Sequence, residues 1–565
     1  MMRKLGIFCL ILMLCLTGCS NVGNESGNGS DKATDTKQDY SNTETKATKK
    51  ESKEESVEEE SIEAPAEKNE LTIAGLADEN MAEDKCVIIE PIPSNSEEYS
   101  EVQESDFIYT TTMPLSTFSI DVDTASYSQV RRYLTRDQQL PPIEAVRIEE
   151  MINYFSYDYP KPKGDDPFSV YTEVGVCPWN KEHYLAMIGV QGKEVSSKKR
   201  PASNLVFLLD VSGSMNDPYK LPLLKSAFSM LTNELTEKDN VSIVVYAGAS
   251  GVVLEGAEGA DKDKINEALY QLSAGGSTAG GEGIELAYKL ANKYFIEGGN
   301  NRVILATDGD FNVGISSEEG LEKLIEEKRE EDIFLSVLGF GTGNIKDNKM
   351  EVLADKGNGN YAYIDSIEEA EKVLVSEMAG TLFTIAKDVK LQLEFNPAKV
   401  GAYRLVGYDN RRLNNEDFAD DTKDAGDIGM GHTVTAFYEI IPVDQLPEAT
   451  SLRYQDNNEL QEASIEANKD EWLYLKLRYK EPDSDTSQLE EYVVSDRHLK
   501  DSNTEDYNFA AAVAECGLLL RESTFKGDAD WDDVLKRARL NMSSDDEGYK
   551  AEFIHLVEIA KHLSY

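Results

Sequence analysis

Between Ser203 and Ala386 apolar runs alternate with amphipathic stretches, and this alternation restricts the available folds more than any other feature of the chain. The runs "NLVFLLD", "NVSIVVYAG", "GVVLEG", "RVILATDG", "IFLSVLGFG" and "GNYAYID" have strand length and strand composition. Between them, "LPLLKSAFSMLTNEL", "DKINEALYQL", "GIELAYKLANKYF" and "SSEEGLEKLIEEKRE" repeat apolar residues at helical spacing. Strand–helix alternation builds βαβ units, so the expectation is an α/β fold: a doubly wound, mostly parallel, Rossmann-like sheet with helices on both faces. Ligands of such sheets bind in the crevice beyond the carboxyl ends of the strands.

The polar residues that fall at this edge share one chemistry. "NLVFLLDVSGSM" runs from a strand into Asp210, Ser212 and Ser214; "GGSTAGGEG" supplies Thr278; "LATDGD" supplies Asp308 directly after another apolar strand. Two carboxylates and three hydroxyls, with no histidine near them in sequence, make a poor nucleophilic site. Oxygen-only donors carrying two negative charges suit a hard cation, Mg²⁺ or Mn²⁺, which keeps several waters when few carboxylates are offered. The glycines around Thr278 let the backbone pass close to such an ion.

In order and strand context, Asp210-x-Ser212-x-Ser214, Thr278 and Asp308 resemble the metal-ion-dependent adhesion site (MIDAS) of von Willebrand factor type A (VWA) domains, over roughly 180 residues. The resemblance implies that these five residues hold the ion, directly or through water, and that an open position accepts a carboxylate from a partner. A narrower resemblance is to bacterial lipoproteins in which "FSIDVDTASYSQVRRYL", "LPPIEAVRIEEMINYFSYDYP" and "PWN" precede the VWA domain and a further region follows it.

A chain of 565 residues exceeds what one core usually supports, and its segments differ in character. "MMRKLGIFCLILMLCLTGCS" sets Arg3 and Lys4 before an apolar run too short to span a bilayer, which predicts a signal peptide over 1–18. "LTGC" resembles a lipobox, and this implies lipidation of Cys19, palmitate included, and a protein on the cell membrane facing outside the cytoplasm. Residues 19–104, rich in Lys, Glu, Ser and Thr, offer little to bury and are expected to be a disordered tether. A coil of about 80 residues spans roughly 50 Å. Residues 105–200 form a helix-plus-strands flank, 201–386 the VWA domain, and 387–565 a flank of strands followed by helices. The strands of the two flanks are expected to pair in one β-sandwich, with the VWA domain inserted.

Other motifs carry less. In "DVDTA", Ala125 stands where an aspartate-nucleophile phosphotransferase needs Thr or Val, so Asp123 or Thr124 is expected to cap the following helix. "DADWDD" has Asp533 and Arg539 where a calcium loop needs glycine and glutamate, and it reads as a helix start. Cys86, Cys177 and Cys516, and the five histidines His183, His432, His498, His555 and His562, show no metal-ligand spacing. A formal charge of −48 repels phosphate backbones and excludes nucleic acid as a partner. The expected function is that of a lipid-anchored adhesion module, not an enzyme, engaging a protein or glycan through the ion. An envelope assembly or chaperone-like factor is the alternative, and a metal-dependent hydrolase a lesser one.

Overall fold

The computed structural model describes residues 96–194, 200–276, 281–309, 318–446, 468–482, 484–542 and 545–565, so Cys19, Cys86 and Thr278 lie outside the described residues. In chain order the first flank contributes β1 (Ile108–Tyr109), β2 (Leu115–Ser119), α1 (Ala125–Thr135), α2 (Ile148–Asn153), β3 (Phe168–Val176) and β4 (Tyr184–Gly192). The α/β part follows with β5 (Ser203–Asp210), α3 (Leu221–Glu234), β6 (Asn240–Tyr246), β7 (Ser250–Glu258), α4 (Lys262–Tyr270), α5 (Gly281–Lys293) and β8 (Asn300–Thr307). It ends with α6 (Glu318–Arg329), β9 (Ile333–Phe340), α7 (Asp347–Lys356), β10 (Tyr361–Ile364), α8 (Ile367–Glu371) and α9 (Met378–Leu382). The second flank holds β11 (Thr384–Phe395), β12 (Val400–Val406), β13 (Arg412–Leu413), β14 (Ile428–Gly429), β15 (Thr433–Pro442), β16 (Glu471–Lys480) and β17 (Ser487–Ser495). Three helices close the chain: α10 (Glu505–Leu520), α11 (Trp531–Leu540) and α12 (Tyr549–Leu563).

The α/β sheet has the order β10-β9-β8-β5-β6-β7 and is parallel except for β7, which runs antiparallel to β6 at one edge. Every residue of β5 is buried. Leu205, Phe207 and Leu209 face α3, where Leu224, Phe228 and Leu231 cover them, while Val206 and Leu208 meet Ile284, Ala287 and Tyr288 of α5. Because helices cover both faces, this strand is a continuous apolar run rather than an alternating one.

The flanks build one sandwich. One sheet is β1-β12-β15-β4-β3 and the other β13-β2-β11-β16-β17, so each mixes strands from before and after the α/β part. Register pairs Ile188 of β4 with Ala436 of β15, and Phe118 of β2 with Leu391 of β11. Ala186, Ile188 and Val190 point into the sandwich core with Leu391, Leu393, Leu475 and Leu477. The opposite face of β4, Leu185 and Met187, is covered by a helical layer in which α10 is buried nearly all round. By contrast β16 has one wet face, and its burial alternates residue by residue.

Two expectations change. Residues 96–104, expected to belong to the tether, begin with backbone bonds to the α/β part: Ser96 N to Gly343 O (2.8 Å), Glu98 N to Ile345 O (2.9 Å) and Asp347 N to Glu98 O (3.0 Å); the rest of the expected tether lies outside the described residues. Neither Asp123 nor Thr124 caps α1: Thr124 makes no side-chain cap bond, and Asp123 accepts the backbone N–H of Tyr361, on the edge strand β10, at 2.8 Å. An exposed strand edge with unpaired N–H groups is a liability, and the carboxylate of Asp123 covers one of them. The expected helix start at "DADWDD" is seen, with Asp530 accepting the N–H groups of Asp532 and Asp533.

The α/β part is held between the flanks by ion pairs, of which Arg147–Asp347 is buried and Arg411–Asp355 is partly exposed. Arg147 of the first flank reaches Asp347 of α7 at 2.6 Å, and Arg411 of the second reaches Asp355 of the same helix at 2.6 Å and Asp121 at 3.0 Å. Buried pairs add little net stability, but losing one partner strands a charge, so they hold the parts in one relative placement.

Candidate metal centre

Three neighbouring strand ends converge on Asp210. The residue closes β5 with no exposed surface, between the ends of β6 and β8. Its Oδ1 accepts the N–H of Ser212 at 2.8 Å, and its Oδ2 accepts the hydroxyls of Thr307 from β8 (3.2 Å) and Tyr246 from β6 (3.3 Å). Both oxygens are thereby oriented by groups on rigid elements. Burial pushes the Asp210 carboxyl up to about 6, and the nearby Asp308 carboxylate adds to this, against the hydrogen bonds from Ser212 and Thr307.

The chain after Asp210 turns tightly through Gly213–Met215, with Met215 buried as an anchor. This turn brings the Ser212 and Ser214 hydroxyls within 2.9 Å of each other. Ser212 is buried and Ser214 is exposed. The glycine loop that leads to Thr278 is fastened here, since Gly275 N donates to Val211 O (2.8 Å) and Gly213 N donates to Gly276 O (3.0 Å). Gly276 has φ +94, a conformation that favours glycine, and an added Cβ would lie 3.1 Å from Gly248 N. Thr278 itself lies outside the described residues, so the structure brings together four of the five expected ligands' elements and leaves the fifth undescribed.

Asp308, immediately after β8, has no exposed surface. Its Oδ2 accepts the Lys220 ammonium at 2.8 Å, and the same nitrogen donates to Asn344 Oδ1 at 2.9 Å. Its Oδ1 is buried and has no hydrogen-bond partner among the described residues. Thr307 ties Asp210 to the backbone just after Asp308, because its hydroxyl donates to Asp210 while accepting the N–H of Gly309. Tyr246, Thr307, Lys220 and Asn344 were not among the residues expected from the sequence. Thr307 directly precedes Asp308 at the strand end, a signal available in the sequence, whereas nothing local marks Lys220.

The residues present fit a hard dication. Among the described residues no group of three or more His, Cys, Asp or Glu is placed to hold a metal ion, so the cradle depends on hydroxyls as much as on carboxylates. A carboxylate oxygen buried without a donor is costly unless something positive or protic meets it, and Asp308 Oδ1 is such an atom. Two of the described histidines have partners elsewhere: His183 bonds Glu439 at 2.6 Å, and an added Cβ on Gly380 would lie 2.1 Å from the ring of half-buried His432. Cys177 and Cys516 are buried free thiols. No helix among the described residues is long and apolar enough to cross a membrane.

Comparison with known proteins agrees with this architecture. The family described as von Willebrand factor type A domain matches residues 204–375, that described as von Willebrand factor matches residues 93–187, and that described as Uncharacterized protein YfbK, C-terminal, matches residues 380–563. The chain is 45% identical over 455 residues to Uncharacterized protein YfbK of Escherichia coli (strain K12), covering 79% of this chain and 78% of that one. It is 31% identical over 186 residues to Uncharacterized protein sll0103 of Synechocystis sp., covering 32% and 42%. A solved structure, von Willebrand factor type A from Catenulispora acidiphila, aligns with 16% identity and a TM-score of 0.40 over 72% of this chain and 91% of that chain. Domains of the VWA type often bind a divalent metal at a MIDAS and typically bind protein ligands. With 45% identity over 79% of its length and matches before, within and after the α/β sheet, the chain belongs to the YfbK family of VWA-domain proteins.

Proposed function

We propose that this protein is a binding module, lipid-anchored at Cys19 on the outer side of the cytoplasmic boundary, that engages a protein or glycan through Mg²⁺ or Mn²⁺ held by Asp210, Ser212, Ser214, Thr278 and Asp308. The observation that supports it best is the pair of buried carboxylates at the ends of β5 and β8, one with an oxygen lacking a donor among the described residues. When bound, the ion offers an open position to an anionic group of a ligand. Asp210 and Asp308 supply the charge, the buried Ser212 and the exposed Ser214 supply neutral hydroxyl ligands, and Tyr246 and Thr307 hold Asp210 in place. We read this as binding rather than catalysis: the groups that hydrogen-bond Asp210 are hydroxyls and a backbone amide, and burial beside Asp210 holds the Tyr246 phenol well above its ordinary range, unsuited to act as a base.

A pull-down from envelope extract, with the full chain as bait in Mg²⁺ or in EDTA, tests the reading. It predicts a partner retained in Mg²⁺, released by EDTA and lost with Asp210→Ala. A partner retained in EDTA would refute it.

A further inference from the structure

Lys220 is buried at the N-cap of α3 and belongs to none of the sequence motifs of the centre. A lysine there opposes the helix dipole, whose positive end lies at the same place, and loses hydration as well. Its placement is nonetheless built. The stem lies across Gly341, where φ is +76 and an added Cβ would sit 2.2 Å from Lys220 Cε. Asn344, which takes one hydrogen bond from the ammonium, sits in the same loop after β9, and Gly309 (φ +112) leaves room for that loop: a Cβ there would lie 2.4 Å from Asn344 O. The ammonium engages Asp308 through Oδ2 alone, leaving Oδ1 without a partner among the described residues.

We infer that Lys220 is a built-in counter-cation of the metal centre: it occupies one oxygen of Asp308 permanently, weakens the hold on a dication, and leaves the loaded centre with net positive charge for an anionic ligand. The inference rests on the metal-centre reading. Asp210 and Asp308 alone would neutralise a dication, whereas with Lys220 included the cradle carries one net negative charge and the loaded centre one net positive charge. A carboxylate then meets uncompensated positive charge at close range in a partly buried site, where Coulomb energies are several-fold larger than in water. On this account the two oxygens of Asp308 serve different cations, and the lysine is not a stand-in that the ion displaces.

The test is Mn²⁺ binding by the full chain, read as free Mn²⁺ by electron paramagnetic resonance. Lys220→Met, which keeps the stem and removes the charge, is expected to bind Mn²⁺ at least tenfold more tightly than the native chain, and Lys220→Arg to stay within about threefold of it. Acetate, as a carboxylate probe, is expected to strengthen Mn²⁺ retention by the native chain more than by Lys220→Met. A lysine that merely shaped the site would give the opposite sign, with Lys220→Met binding more weakly, and equal or weaker binding overturns the inference while leaving the metal centre standing. Failure of the native chain to bind Mn²⁺ overturns both. Should Lys220→Met fail to fold, amine labelling of Lys220 in the native chain decides the matter: labelling unchanged by Mn²⁺ is expected, and a tenfold rise on adding Mn²⁺ shows displacement and overturns it.

Discussion

Glu97 fastens the segment before β1 to the loop that holds Asn344. Its carboxylate accepts two hydrogen bonds from Arg132 (2.8 and 2.9 Å), one from Tyr133 (2.6 Å) and one from the N–H of Gly343 (2.8 Å), with side chains only 2% and 3% exposed for the Glu97–Arg132 pair. Burial raises the pKa of this carboxyl, but the Arg132 bonds and charge, the Gly343 N–H and Tyr133 outweigh it and bring it from 4.5 down to about 2. At about 1.4 kcal/mol per pKa unit, the difference of 4.5 − 2 corresponds to roughly 3 kcal/mol, a factor above one hundred in a local opening equilibrium. A folded-state pKa depressed below the unfolded one stabilises fully above pH 4.5 and is lost as pH falls toward 2. Glu97→Gln removes the charge at every pH and leaves Arg132 buried beside a neutral amide. The assay is amide hydrogen exchange near neutral pH at Glu98, Gly343 and Asp347, whose N–H groups this segment ties up. Exchange at these amides should rise about a hundredfold in Glu97→Gln while amides of β5 stay unchanged. Exchange within about threefold of native at all three would refute the reasoning.

Asp210→Asn should leave the EDTA-treated protein as stable as native or more so at pH 7, because a carboxyl raised to about 6 is least stabilised once ionised, and the difference should fade by pH 4 in denaturant titrations. Gly341→Ala should cost about 1 kcal/mol or more in the same titrations, since alanine at φ +76 is strained and its Cβ would strike the Lys220 stem. Cys19→Ala should release the protein from membranes or leave it unprocessed; a processed variant that stays on the membrane counts against the lipid anchor.

The legible part of the fold was the part whose signals are local. The α/β sheet announced itself because β5, β8 and β9 are almost wholly buried and each carries an apolar run, Leu205–Leu209, Val303–Ala306 and Ile333–Leu335, while the stretches between them keep helical spacing. The shared sandwich could be argued from strands lying on both sides of the α/β part. Its pairings could not, because β4 and β15 are separated by some 250 residues and register depends on packing that neither strand records alone. Asp123 shows propensity overruled, since a residue suited to a helix cap serves the edge of β10 instead. At the site, Asp210 and Asp308 follow from strand ends, whereas Lys220 does not: lysine is ordinarily a surface residue, and its burial here depends on Gly341 and Asn344, more than 100 residues further along the chain.

The central claim is that Asp210, Ser212, Ser214 and Asp308, with Thr278, hold a divalent cation. Equilibrium unfolding of the full chain in Mg²⁺ against EDTA tests it most directly. At a Mg²⁺ concentration one hundred times the dissociation constant, binding confined to the folded state stabilises by about 2.7 kcal/mol. The account predicts a shift of that size in the native chain, growing with Mg²⁺ concentration, reversed by EDTA and absent in Asp210→Ala. Unfolding curves of the native chain that coincide in Mg²⁺, Mn²⁺ and EDTA would contradict it.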